Sequence, residues 1–219
     1  MNYVVWFLRI AMPLFALTAI LVSWRTSQPE DLPNGFRKKA LALELPQKVE
    51  DIEAIKKVYP EKDIRQDIKG DFFFIIPLYT LFFIGLGVVL YKLNLPYAKV
   101  LGLSLCLCAL LAAIFDFLEN QRMLGLLTTA TQADIDATRH TSLVKWFAFG
   151  LMMFILGIAF ALSRQWAIVA LGILYFVAGV LFLIGLWQNT QVEKATTLMI
   201  IAWLPTGEAI HKIASKFSP

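Results

Sequence analysis

Residues 71–91 read DFFFIIPLYTLFFIGLGVVLY, and this stretch decides the fold. After Asp71 come twenty residues without a charge. At 1.5 Å rise each, about 20 residues cover the roughly 30 Å of hydrocarbon in a bilayer. An amphipathic helix on a soluble core would show a polar face at the 3.6-residue period, and this block is apolar all round. Working outward, blocks of the same kind recur at 3–24, 97–118, 143–162 and 166–187. The pattern predicts an all-α integral membrane protein with about five transmembrane helices. An N-terminal span (1–24) stands beside an up-down four-helix bundle (71–190), with short interfacial helices around them.

The composition agrees with that reading. Hydrophobic residues make up 58% of the 219 and charged residues only 16%, against roughly 25% charged in an average soluble domain. The net charge of +4 fits Lys and Arg flanking anionic headgroups. No basic run interleaved with aromatics suggests nucleic acid, so none is expected as a partner. Cys106 and Cys108 lie two apart inside an apolar block and point about 200° from each other on a helix, which suits neither a mutual disulfide nor zinc. They read as buried small thiols. No metal site and no cofactor is expected.

Residues 25–70 change character, with ten basic and nine acidic residues and with prolines at 29, 33, 46 and 60. Turns over 29–35 precede a short helix on which Leu41 and Leu45 share a face. Pro46 ends it, and Val49, Ile52, Ile55 and Val58 continue at helical spacing. Pro60 breaks the chain again, and residues 61–69 lead into the second span. The segment is expected as an amphipathic helical layer at the membrane surface.

The first block carries Arg9 and Pro13 and lacks a small-residue cleavage site, so it reads as a retained anchor rather than a signal peptide, with Trp6 and Trp24 at the two interfaces. Thr131 or Asp134 offers an N-cap ahead of the fourth span. Gly150 and Gly157 in the fourth span, and Gly172 and Gly179 in the fifth, are each seven apart and mark close helix contacts. Beyond the fifth span, the apolar run 195–204 is too short to cross and Pro205-Thr206-Gly207 is expected to stop it. Residues 191–219 therefore read as an interfacial helix and tail.

Five spans place the N-terminus and the turns near 92–96 and 163–165 on one side, with Arg9, Lys92, Lys99 and Arg164 and no acid. The remaining Lys and Arg fall on the other side, which the positive-inside rule makes cytoplasmic, the 25–70 loop included.

One constellation could carry chemistry. Counting back from Asn120 in steps of four and three meets Asp116, Ala113, Ala109, Cys106 and Gly102, a small or polar stripe at heptad spacing. Glu119 shares that face, while Leu105, Leu107, Leu111 and Phe115 are expected mostly on the others. An acid near membrane depth must face the bundle interior and find a partner. Topology brings Asp71, Tyr79 and Lys145 to the same end. An Asp116–Lys145 ion pair is expected, with Glu119 taking Arg122 or Arg139 and Tyr79 donating to the cluster. The candidate ligand-binding set is thus Asp71, Tyr79, Asp116, Glu119, Asn120 and Lys145.

Two uses compete for this set: a clamp that fixes the register of three spans, or a titrating or headgroup-binding site. A hydrolase or transferase would add a nucleophile beside a His, a metal set or a phosphate loop, and His140 and His211 have no spaced companions. No catalytic residue is assigned, and the balance leans away from an enzyme. The Asp116 to Asn120 run and the Asp71-to-Tyr79 stretch are similar to uncharacterised bacterial membrane proteins. That resemblance implies no activity; the expected location is a bacterial inner or plasma membrane. The leading expectation is a protein that acts by association, as an accessory subunit of a membrane assembly or a homo-oligomer. Its partners are then membrane lipids and other membrane-protein subunits or itself. The alternatives are a lipid- or amphiphile-binding protein with its pocket at Asp116, and a proton- or ion-coupled transporter.

Overall fold

The apolar blocks form helices in the computed structural model, which describes residues 2–26 and 32–217. Helix α1 is Asn2–Thr26. One turn of 3-10 helix (Pro33–Gly35) leads to three short helices, α2 (Lys39–Glu44), α3 (Val49–Val58) and α4 (Glu61–Gly70). A π-turn (Asp71–Ile75) joins α4 without a break to α5 (Ile76–Tyr91). Then follow α6 (Ala98–Leu126), α7 (Gln132–Ala161), α8 (Trp166–Gly185) and α9 (Thr190–Phe217). No strand occurs among the described residues. Five helical stretches are long and apolar enough to cross a membrane: Tyr3–Leu21, Glu61–Tyr91, Ala98–Leu126, Gln132–Ala161 and Trp166–Gly185. Their outer faces are apolar, with Leu103, Leu107, Ile114, Ile173 and Phe176 all exposed. The side chain of Trp24 and residues 27–31, including Pro29, lie outside the described residues.

Glycines set the helix spacing. A Cβ on Gly157 would stand 3.0 Å from the Gly172 carbonyl oxygen, and one on Gly179 would stand 3.1 Å from that of Gly150. The seven-residue glycine pairs of α7 and α8 therefore face each other and let the two backbones touch. A third crossing joins α5 to α6, where a Cβ on Gly102 would meet the Gly87 carbonyl oxygen at 2.5 Å. Thr131 caps α7 in a reciprocal box with Asp134: Thr131 Oγ1 accepts from the Asp134 amide at 3.2 Å and Asp134 Oδ2 from the Thr131 amide at 3.3 Å.

The C-terminal segment corrects an expectation. Instead of a short interfacial piece ending at Pro205, α9 is one helix of 28 residues lying along α1 and α8. Arg9 pairs with Glu208 at 2.7 Å, Phe15 packs on Trp203, and the Tyr175 and Thr206 hydroxyls are 2.7 Å apart. The Asn94 amide donates to the Phe217 carbonyl at 2.8 Å, so α9 runs the depth of the bundle to the turn between α5 and α6. Proline breaks a helix by withholding an N–H, but apolar surroundings and a neighbouring Thr offset the loss. Here the Thr206 hydroxyl donates to the Ala202 carbonyl at 2.6 Å beside the break. A second correction follows. The end expected to carry no acid holds Glu208, with Lys212 and Lys216 beyond it, although the other end keeps the larger share of Lys and Arg.

Helices α2, α3 and α4 form a cap over the other end. Leu41, Ala42, Leu43, Leu45, Ile52, Ile55, Ile64 and Ile68 are all buried beneath it. Asp51 accepts from the Gln47 amide (2.8 Å) and from Asn34 (2.9 Å), and Lys39 pairs with Asp67 across the cap. The Arg37 amide reaches Glu193 of α9 at 3.2 Å. Burial lowers the Lys38 ammonium from its ordinary value, and Glu193 opposes that shift.

Candidate functional site

Three helices and the cap deliver side chains to one buried point. Asp116, Glu119 and Asn120 stand at i, i+3 and i+4 on α6, and Ser142, Lys145 and Trp146 repeat that spacing on α7, so each trio shares a helix face. All six are buried. The inward face of α6 continues as Gly102, Leu105, Ala109 and Ala112, while Cys106 and Ala113 flank it. Leu105, expected to face outward, is thus part of the interior, because it lies one helical step from the stripe that the small residues marked.

The π-turn explains how Asp71 and Tyr79 come together. The Ile76 amide bonds the Asp71 carbonyl five residues back. Pro77 sits just beyond, and a proline ring clashes with the carbonyl four residues earlier, which favours a widened turn. Eight residues of regular helix would set Asp71 and Tyr79 about 80° apart, and one extra residue in the turn removes about 100° of that rotation. Both then face α6.

Lys145 is the hub. Its Nζ lies 3.1 Å from Asp116 Oδ1, 2.8 Å from Glu119 Oε2 and 2.9 Å from Glu44 Oε2, with its side chain 2% exposed. The Tyr79 hydroxyl donates to Asp116 Oδ2 at 2.9 Å, and Asn120 Nδ2 donates to Asp71 Oδ2 at 2.5 Å. All six residues selected from sequence therefore meet, and the Asp116–Lys145 pair forms as expected. Glu119 does not take Arg122 or Arg139. Arg122 is exposed, and Arg139 donates to Asn189 at 3.2 Å.

Glu44 is the residue sequence reasoning missed. It ends α2, outside the spans, and reaches into the bundle with its side chain 13% exposed. Trp146 Nε1 donates to its Oε2 at 3.1 Å, and the Ser142 hydroxyl donates to its backbone carbonyl at 2.5 Å. Burial pushes the Glu44 carboxyl above its ordinary value, Lys145 pulls it back, and the charge of Asp116 pushes it up again. Glu119 Oε1 and Asn120 Oδ1 are buried with neither a hydrogen-bond nor an ion-pair partner, and Glu119 Oε2 has only its ion pair to Lys145.

The cluster residues face one another. One surface groove of about 470 Å³ runs along Glu61, Lys62, Arg65, Gln66 and Lys69. Another of about 210 Å³ lies beside Arg122, Thr128, Thr129 and Asp134, and neither is lined by a cluster residue. Among the described residues no three His, Cys, Asp or Glu are grouped to hold a metal ion. Compared with known proteins, the chain matches no protein-family model, no curated protein and no solved structure.

Proposed function

We propose that the chain is a non-catalytic helical membrane protein that works by association, as an accessory subunit of a larger membrane assembly or as a homo-oligomer. The observation that carries this reading is the closure of the polar cluster. Lys145 lies within 3.1 Å of three carboxylates drawn from α2 and α6. Charges committed to one another in this way fix helices rather than hold a substrate. What they fix is the cap, because Glu44 ties α2 to the bundle interior. The outer side of α4, with Glu61, Lys62, Gln66 and Lys69, is exposed at that end. We read this charged face as the part that meets a partner, and place it on the cytoplasmic side of a bacterial inner or plasma membrane, in keeping with its share of Lys and Arg.

The amphiphile-binding reading would need the carboxylates to face a groove. The transporter reading would need a polar path along α6, whose inward face below Asp116 is Ala112, Ala109, Leu105 and Gly102. Purification in mild detergent followed by native mass measurement tests the proposal. The expected result is a complex heavier than the 24.7 kDa chain, weakened by charge reversal at Lys62 and Lys69. A lone monomer without a co-purifying partner would contradict it.

A further inference from the structure

One ammonium faces three carboxylates inside this bundle, and the imbalance has a chemical consequence. Asp116 is well served, with the Tyr79 hydroxyl on one oxygen and Lys145 on the other. Glu119 is not. Its side chain is 0% exposed, its Oε2 meets only Lys145, and its Oε1 meets no donor. Glu44 Oε2 and Glu119 Oε2 lie 2.9 Å and 2.8 Å from the same Nζ, which sets the two carboxyls side by side. Two ionised carboxylates at that separation repel, and burial in low dielectric makes the repulsion costly. A single proton between them converts the contact into a short, charge-assisted O–H···O bond.

The groups facing this point are Glu44 from α2, Asp71 and Tyr79 from the π-turn and α5, Asp116, Glu119 and Asn120 from α6, and Lys145 and Trp146 from α7. Asp71 is held by Asn120, a residue 1% exposed whose Oδ1 lacks a donor. Arg139 is turned to Asn189. Among the described residues no second Lys or Arg pairs with a cluster carboxylate.

The geometry points to a proton-binding site: the Glu44 and Glu119 carboxyls hold one proton between them, and that proton latches α2 and the cap onto the bundle. When α2 lifts, Glu44 enters water, the O–H bond breaks and the proton passes to solvent. Opening therefore releases one proton and is favoured as pH rises. This goes beyond the associative function and stands or fails independently of it.

The test uses the full chain in lipid nanodiscs. Infrared spectroscopy of the wild type at neutral pH is expected to show the C=O stretch of a protonated carboxyl, shifted in D2O. Glu119→Gln and Glu44→Gln each replace the shared proton with an amide N–H, so each is expected to lose that band while keeping α2 docked. Hydrogen-exchange protection factors over residues 39–44 are the second readout. As pH rises and the closed state still holds its proton, they should fall in the wild type by about tenfold per pH unit, the slope of one released proton, and stay flat in both variants. A wild type without the band would overturn the proposal, as would a band that survives in both variants. Protection that ignores pH would do the same. Protection restored at alkaline pH by sodium alone would assign the site to a monovalent cation and overturn the proton reading.

Discussion

Lys145 Nζ stands 2.9 Å from the carboxylate of Glu44, a residue 101 positions earlier in the chain and outside every span. This contact joins the amphipathic cap to the bundle interior, and the same nitrogen holds α6 to α7 through Asp116 and Glu119. Removing such a hub costs more than removing any one spoke.

Lys145→Met is the first expected loss. It leaves buried carboxylates without their cation, and removing one partner of a buried ion pair typically costs about 3–5 kcal/mol. Unfolding in detergent titrated with a denaturing surfactant should show that drop. A change within about 0.5 kcal/mol, as at an ordinary surface position, would refute the hub.

Tyr79→Phe removes a donor and leaves Asp116 Oδ2 buried without one. The expected cost is about 1–3 kcal/mol, the usual penalty for an unsatisfied buried polar atom. The same unfolding assay measures it, and stability equal to wild type would show that the hydroxyl does not serve Asp116.

Glycine positions separate close contact from composition. Gly102→Ala would place a methyl 2.5 Å from the Gly87 carbonyl oxygen and 2.6 Å from the Tyr91 amide nitrogen, backbone atoms that cannot swing away. Overpacking of this kind costs about 1–3 kcal/mol. Gly125→Ala meets nothing within 4 Å and lies inside α6, so it should be neutral or stabilising by up to about 1 kcal/mol. Equal effects at the two sites would count against the α5–α6 crossing described here.

The pH dependence follows from Glu44, whose carboxyl is raised above its ordinary value of 4.5 by burial. A group with a raised folded value contributes stability that is fully present below its free value and is lost as pH rises through the folded one. Thermal stability of the detergent-solubilised protein is therefore expected to decline as pH rises beyond the ordinary carboxylate range. Glu44→Gln should flatten that limb. Wild-type stability that falls only as pH is lowered would show the sign to be wrong.

Much of this arrangement is legible in the sequence because the bilayer imposes a simple rule. The uncharged run at 72–91 and its four companions had no other solvent to suit them, and a lone Asp116 among apolar neighbours had to find a cation. Helix α9 was hidden by Pro205, by charges at 193, 194, 208, 212 and 216 and by the polar His211, which break up any long apolar window. Burial of Trp203 and Ile210 between neighbouring helices, not hydropathy, is what sustains it. Glu44 was hidden for the opposite reason. It lies in a charged segment where an acid reads as solvated, and only its buried neighbours Leu41, Ala42, Leu43 and Leu45 hint that it has no water to face. The π-turn left no periodic trace, since Phe72, Phe73 and Phe74 look the same in either helix.

The most direct test of the account is a charge swap across α6 and α7. Asp116→Lys and Lys145→Asp should each lower unfolding stability sharply, and the double variant should recover part of the loss, with a coupling of about 0.5–3 kcal/mol for residues in one network. Two losses that simply add would contradict the claim that this buried pair holds the bundle together.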